Sequence, residues 1–396
     1  MVNSYEGAWS AAWPTDGMVW CRLRDVPGVT VTYGVVRPER FDANGIRMLQ
    51  AQDFAAGRIL DNAPMMIRPD VHQQHPRTCL KSGDLVLVLV GRVGDAAVIT
   101  ERQQGWNAAR SVGVVRCEPS PQSEGFIDWL RYWFMSSRVR QWFAGEASGF
   151  AQPTLSVSSL ANLHVPLPPI DPRRRYLDTL SLAEQKADAS MEVARAAIRL
   201  ADANFDRWRA FAGSRTIRLG DVCQAKAGGG RPSGIEDESI RQGGVRVATA
   251  DVLNAEFPHW RRQEREPRGA AAATLGQLLI ATRKGTASVV LDMRGDARTE
   301  RGTLAVRARD TEDQWWLLHE IRTRSAGLAA AAQGEHSREL SARAFGNLLV
   351  PWPEAVVRAK FAETAQVLHE RALLALDDHD DMRSLLGRLI ESVVQR

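Results

Sequence analysis

Two short stretches concentrate side chains suited to gripping an anion or a base edge. Arg283-Lys284-Gly285-Thr286 directly follows the apolar run 278–281, so two cations fall on a loop that a buried strand would hold still. Gly228-Gly229-Gly230-Arg231-Pro232-Ser233 is a glycine-rich loop whose backbone N–H groups are suited to a phosphate. Arginine matters because its planar fork binds phosphate or guanine through two parallel hydrogen bonds. Of the 51 basic residues only five are lysine (81, 186, 226, 284 and 360), which leaves 46 arginines.

The patterns that carry catalysis are missing. There is no G-x-x-x-x-G-K-[ST] for a nucleotide-driven motor, no H-E-x-x-H, no G-x-S-x-G and no Asn/Asp-Pro-Pro-aromatic tetrapeptide. Glu184-Gln185-Lys186 has nuclease-like spacing, but it falls within a heptad pattern and reads as a salt-bridged helix face. His72 and His75, three apart in a proline-containing loop, read as an exposed pair and not a metal site. Cys21, Cys79, Cys117 and Cys223 form no C-x-x-C and read as small buried hydrophobes.

Composition sets the frame for these residues. The chain has 396 residues, 44% of them apolar and 25% charged, with a net charge of +4, as expected for a globular protein of two or three domains. No apolar run approaches bilayer length, and the first residues lack a basic–apolar–small signal pattern. A cytoplasmic location is the expectation.

The elements that must position the loops occur twice. Residues 149–168 (GFAQPTLSVSSLANLHVPLP) align without a gap on 334–353 (GEHSRELSARAFGNLLVPWP), with 8 of 20 positions identical. RLRDV at 22–26 is answered by RLGDV at 218–222. Arg37-Pro38 is answered by Arg231-Pro232, and the glycine-bounded apolar run 83–91 by 276–285. A period near 190 residues is too long for a solenoid and points to a duplicated domain. Each glycine-bounded run reads as a central strand entering a tight loop.

A helix follows each proline-rich phrase. The first is expected over about 173–212. Leu177, Leu180, Glu184, Ala187, Met191, Ala194, Ile198, Ala201, Phe205 and Trp208 alternate at three and four residues as its seam. At 1.5 Å per residue it would be a rod of roughly 60 Å. The second is expected over about 354–394. Ala375, His379, Met382, Leu386, Leu389 and Val393 keep the spacing, Phe361 and Leu368 fit, and Thr364 and Arg371 do not. Two such stripes should pack together, antiparallel.

In this order the motifs resemble those of the specificity subunits of Type I restriction-modification systems. The resemblance rests on the RLxDV openings, GGGRPSG at 228–234, the glycine-bounded runs, the LS…NL-V-P-x-P closings and the helices after them. The chain departs from the family pattern in lacking Glu-Gln after the first closing phrase, in Trp352 between the second pair of prolines, and in Ser288 where the first loop has Gly94.

The resemblance implies an α+β protein with an N-terminal extension (1–20) and two target-recognition domains (21–153 and 214–336). Each domain is followed by a closing segment and long helix (154–213 and 337–396), and the helices pair as an antiparallel coiled coil that spaces the domains. It implies no catalysis in this chain and recognition of a two-part site on double-stranded DNA. The implied partners are two adenine methyltransferase subunits, joined by a restriction subunit with nuclease and translocase activity. S-adenosylmethionine, ATP and magnesium would be held by those partners, with no cofactor or metal in this chain. A related defence system that methylates without ordinary restriction, and a two-module scaffold that binds proteins, are the alternatives.

Base reading in the major groove needs Arg or Lys for guanine and Asn or Gln for adenine, each pairing contributing about 1–3 kcal/mol of discrimination. By residue type and loop position the DNA-binding candidates in the first copy are Tyr33, Arg37, Arg92, Gln103, Gln104, Asn107, Gln152 and Thr154. In the second they are Arg231, Ser233, Arg246, Thr249, Arg261, Arg262, Arg283 and Lys284.

Overall fold

The computed structural model describes residues 13–36, 41–55, 57–60, 65–149, 152–227, 246–248, 276–282, 288–293, 297–299, 302–330 and 339–394. The chain divides into two units, Met1–Lys186 with Asp381–Arg396, and Ala187–Asp380.

Unit 1 opens with β1 (Val19–Arg22) and β2 (Val29–Tyr33). There follow β3 (Ile46–Leu49), β4 (Phe54–Ala55), β5 (Arg58–Ile59), β6 (Met65–Ile67), α1 (Pro69–Gln74), β7 (Leu85–Val88), β8 (Ala96–Val98), β9 (Asn107–Ala108) and β10 (Val112–Cys117). Helices α2 (Phe126–Met135), α3 (Ser137–Glu146) and α4 (Val157–Asn162) precede β11 (His164–Leu167) and the long α5 (Ile170–Phe211). The central sheet is antiparallel in the order β2-β10-β7-β8, and β3 lies between β6 and β9 in a second sheet.

β7 has the sequence LVLV because both faces of its sheet are covered. Leu85 and Leu87 point to α2 and its Phe126, Trp129 and Phe134; Val86 and Val88 point to Leu49, Phe54 and Trp106. Alternate residues of a strand face opposite sides, so a strand covered twice reads as a continuous apolar run.

Unit 2 repeats the plan. β12 (Ser214–Arg218), α6 (Leu219–Val222), β13 (Cys223–Ala227), β14 (Arg246–Ala248), β15 (Gln277–Ala281), β16 (Val289–Asp292), β17 (Ala297–Thr299) and β18 (Thr303–Ala308) lead to α7 (Gln314–Thr323) and α8 (Ser325–Ala330). α9 (Ala342–Gly346), β19 (Leu349–Pro353) and α10 (Ala355–Val394) close it. The sheet order β13-β18-β15-β16 matches β2-β10-β7-β8 strand for strand. The α+β fold, with two similar domains each followed by a long helix, is as expected.

The identities shared by the two copies mark structural positions. Ser156 and Ser341 are the N-caps of α4 and α9, each accepting from the backbone N–H three residues on. Leu163 and Leu348 offer their carbonyls to the N–H groups of Leu23 and Leu219 (2.8 and 2.9 Å). The V-P-x-P phrases are strands: β11 pairs antiparallel with β1, and β19 with β12. Arg173 donates to the Pro168 carbonyl (3.1 Å), and Arg358, at the same offset, donates to that of Pro353.

Helix packing follows the expected spacing: Leu180, Ala187, Ala194, Ala201 and Phe205 of the expected seam are buried, while its other members are half-buried. Beyond its first turn, where Arg173 is buried, the most buried positions of α5 are Leu180, Ala183, Ala187, Ser190, Ala194, Ala197, Ala201 and Phe205. Ala183, Ser190 and Ala197 take the places expected for Glu184, Met191 and Ile198. Small side chains let a neighbouring helix come close, and the larger ones flank the contact. In α10, Ala365 and Ala372 are buried in place of Thr364 and Arg371.

Within unit 2, Ala194 and Ala197 meet Ala372 and Ala375, Phe205 stacks edgewise on Phe361 (5.3 Å), and His379 Nδ1 donates to the Ala187 carbonyl (2.9 Å). Partners in α10 fall in number as those in α5 rise, so these segments run antiparallel. Within unit 1, Leu180 and Ala183 share a core with Leu386 and Ile390.

Each unit also buries a polar junction on α5 or α10. In unit 1, Arg131 forks onto Glu184 (2.8 and 2.6 Å), the Tyr132 hydroxyl donates to it (2.8 Å), and Arg383 lies 3.7 Å away. Burial alone would raise the Glu184 carboxyl; the Arg131 hydrogen bonds and charge override this and hold it below the usual range. The nuclease-like triplet is therefore a salt-bridged helix position. In unit 2 the corresponding residues are His319 and His369. Their Nε2 atoms lie 3.0 Å apart, and His319 Nδ1 faces Asp202 (2.8 Å), which also accepts from Arg322 (2.8 Å).

Two outcomes follow for stability. Asp84 accepts from Arg116 through two nitrogens (2.7 and 2.6 Å), and its side chain is 2% exposed. Asp84→Ala strands a buried guanidinium and is expected to cost about 3 kcal/mol in urea unfolding; Asp84→Leu with Arg116→Met should recover much of the loss. Burial holds both His319 and His369 below the ordinary imidazole value, His369 at about 3. The folded pair is thus neutral while the unfolded chain takes up protons. Stability should be full above pH about 6.5 and fall as pH drops toward 3, by at most about 1.4 kcal/mol per pH unit for each group. Denaturation midpoints between pH 8 and 4 should show a shallower slope in His369→Gln than in the wild type.

Candidate nucleic-acid interface

In unit 1 the candidate site forms where β7 leaves the sheet. The chain turns back through 89–95, with Val88 N–H bonded to the Asp95 carbonyl (2.8 Å) and Gly94 N–H to that of Val88 (3.1 Å). Gly91 (φ +87°) and Gly94 (φ +99°) take the left-handed backbone that this tight return needs. A second loop lies against the first: Gly91 N–H donates to the Pro153 carbonyl (2.8 Å), and Val90 bridges Thr154.

These bonds bring Arg92, Gln152 and Thr154 together, all three exposed. Arg92 leans on the domain through the Ala51 and Phe54 carbonyls and lies 3.5 Å from Asp95. Thr154 Oγ1 donates to the Gln152 carbonyl (3.2 Å). Tyr33, 49% exposed, ends β2 opposite Gly113, which itself pairs with Leu87 of β7. It therefore lies at the same end of the sheet, as does exposed Arg110, which the sequence reading missed.

Other expected readers lie elsewhere. Gln103 and Gln104 occupy a turn at the far end of β7, where Gly105 N–H bonds the Leu80 carbonyl and Gly83 N–H that of Ile99. Gln103 is buried and accepts from Thr100 Oγ1 (2.7 Å), so it closes the turn; Gln104 is exposed there. Asn107 is 0% exposed. Its Oδ1 accepts from Ala108 N–H (2.9 Å) and the Thr78 hydroxyl, and its Nδ2 faces His72 Nδ1 (3.1 Å). A side chain so enclosed reaches no base edge. The neighbouring Trp106, Ala108 and Ala109 are all buried, and this apolar context was the available sequence signal.

In unit 2, Arg246 begins β14, which pairs parallel with β17. Arg231, Ser233, Thr249, Arg261, Arg262, Arg283 and Lys284, with Arg37 of the first copy, lie outside the described residues. Among the described residues no group of three or more His, Cys, Asp or Glu could hold a metal ion, and no helix is long and apolar enough to cross a membrane.

Comparison with known proteins agrees with the sequence resemblance. No protein-family model matches the chain. Over 140 residues it is 27% identical to the Type I restriction enzyme EcoBI specificity subunit of Escherichia coli, a match covering 35% of this chain and 28% of that protein. The crystal structure of the S subunit of a Type I restriction-modification system from M. genitalium shares the fold, with a TM-score of 0.53 and 12% identity, over 94% of this chain and 95% of that one.

The loop geometry makes a direct demand on Gly94. A Cβ there would lie 2.8 Å from Cδ2 of Phe143, at a φ that L residues avoid. Gly94→Ala is expected to lower stability by about 1–3 kcal/mol, and Gly145→Ala, whose Cβ meets nothing within 4 Å, to leave it nearly unchanged. Thermal melts of the two variants measure the difference.

Proposed function

We propose that this chain is the non-catalytic DNA specificity subunit of a Type I restriction-modification complex. The observation that carries the reading is one strand order built twice in one chain, each copy closed by the same V-P-x-P strand and followed by a helix of about forty residues. Similarity to a specificity subunit in sequence over 140 residues, and in fold over nearly the whole chain, supports it.

Each unit reads one short half of a duplex site, and a fixed non-specific gap separates the halves. Exposed polar and cationic side chains at the sheet end of unit 1 make the contacts there: Tyr33, Arg92, Arg110, Gln152 and Thr154. Phosphate contacts set register and base contacts choose sequence. The outward faces of α5 and α10 dock two adenine methyltransferase subunits, which hold S-adenosylmethionine and flip the target base. A restriction subunit that uses ATP and magnesium completes the complex.

Co-expression with its cognate methyltransferase subunits should produce methylated adenines within one two-part motif. Exchanging unit 1 for that of a relative should change one half of the motif only. Binding of the cognate duplex should weaken by at least about a hundredfold between 50 and 200 mM salt, as counterion release at several phosphates requires. Salt-insensitive binding with no methylation motif would instead fit a protein scaffold and reject the proposal.

A further inference from the structure

We infer that His72 is a sequence-reading or phosphate-gripping residue of unit 1, presented to the duplex as a hydrogen-bond donor by the buried Asn107; this rests on the DNA-reading function proposed above. The ring is held from one side only. Its Nδ1 lies 3.1 Å from Asn107 Nδ2, and among the described residues its Nε2 has no partner.

The proton positions follow from the surroundings. Asn107 Oδ1 accepts from the backbone N–H of Ala108, which can only donate, and faces the Thr78 hydroxyl, which also reaches the His75 carbonyl (3.0 Å). Turning the amide over would set its NH2 against the Ala108 N–H, so the NH2 must face the imidazole. Nδ1 then accepts, which leaves Nε2 as the nitrogen that carries a proton outward. Burying a complete asparagine costs free energy unless its bonds are made, and one visible effect of this arrangement is to fix a half-exposed imidazole as an outward donor.

The position agrees with the candidate interface. His72 lies on α1, whose Val71 is buried among Val35, Met48, Ile67 and Ala109. Val35 N–H bonds the Ala108 carbonyl (2.7 Å), and Arg110 N–H bonds that of Val35 (2.9 Å). The helix thus abuts the segment leading from Asn107 to Arg110, at the sheet end that carries Tyr33. The end of β2 in turn lies tight against this segment: a Cβ on Gly34 would come within 2.0 Å of the Ala108 oxygen. Exposed Gln73 and Gln74 follow on the same helix. A donor at this margin matches guanine N7 or O6, or a phosphate oxygen.

The test uses the full chain in complex with its methyltransferase subunits, titrated with cognate and scrambled duplexes. His72→Asn keeps an acceptor for the Asn107 amide and removes the outward donor. His72→Gln extends a donor to the place of Nε2. His72→Asn should lose about tenfold in affinity with its melting midpoint unchanged, and His72→Gln should retain most of the affinity. A loss on the cognate duplex alone identifies a base contact, and an equal loss on both duplexes a phosphate contact. No loss in His72→Asn, or equal losses in both variants with lowered midpoints, overturns the inference while the wild type still discriminates. A wild-type complex that does not distinguish the duplexes rejects the underlying function, and this inference with it.

Discussion

Each unit depends on a short pairing between its opening strand and its proline-rich closing strand. Val19–Arg22 runs antiparallel to His164–Leu167, and Ser214–Arg218 to Leu349–Pro353. Proline cannot donate to a ladder, so V-P-x-P suits a two-stranded edge ribbon and not the middle of a sheet. The ribbon brings the two ends of a domain together and aims the chain into a helix. Arg173 and Arg358 then cap the turn by binding the last proline carbonyl from inside the helix. Arg173 is almost fully buried and reaches three carbonyls, those of Gln122, Glu124 and Pro168, while stacking over Trp13. Burial lowers its guanidinium to about 10, still charged at neutral pH.

The same scaffold position tolerates different chemistry. Where unit 1 buries Glu184 beneath Arg131 and Tyr132, unit 2 buries His369 against His319, with Asp202 and Arg322 behind. Both solutions satisfy polar groups inside a helical core, and both are costly if one member is lost. They differ in charge: one is an ion pair at neutral pH, the other a neutral imidazole pair beside one. Divergence at this level leaves the strand order untouched, because the order is set by the apolar faces of β7 and β15 and by the closing ribbons.

The proposed contacts sit where the scaffold ends. Arg92, Gln152 and Thr154 are gathered by backbone bonds between two loops, and buried Asn107 hydrogen-bonds His72 from within. Rigid support beneath a few exposed polar groups is what discrimination requires, since a contact displaced by an ångström no longer separates right from wrong bases.

Much of the fold was legible in the sequence because its signals are local. Repeated phrases announced a duplicated domain, glycine-bounded apolar runs announced β7 and β15, and heptad spacing placed helices at about 173–212 and 354–394, against Ile170–Phe211 and Ala355–Val394. Periodicity and proline placement are properties of a chain segment and its own backbone. Which residue α5 buries at alternate turns (Ala183, Ser190 and Ala197, not Glu184, Met191 and Ile198) was not legible, nor was the fate of Asn107 and Gln103. Whether an alanine or an isoleucine turns inward depends on how close the neighbouring helix comes. Whether an asparagine reads a base or braces a histidine depends on residues 29 and 35 positions away. Those distances close only when the tertiary structure forms, and only then does a residue type acquire a role.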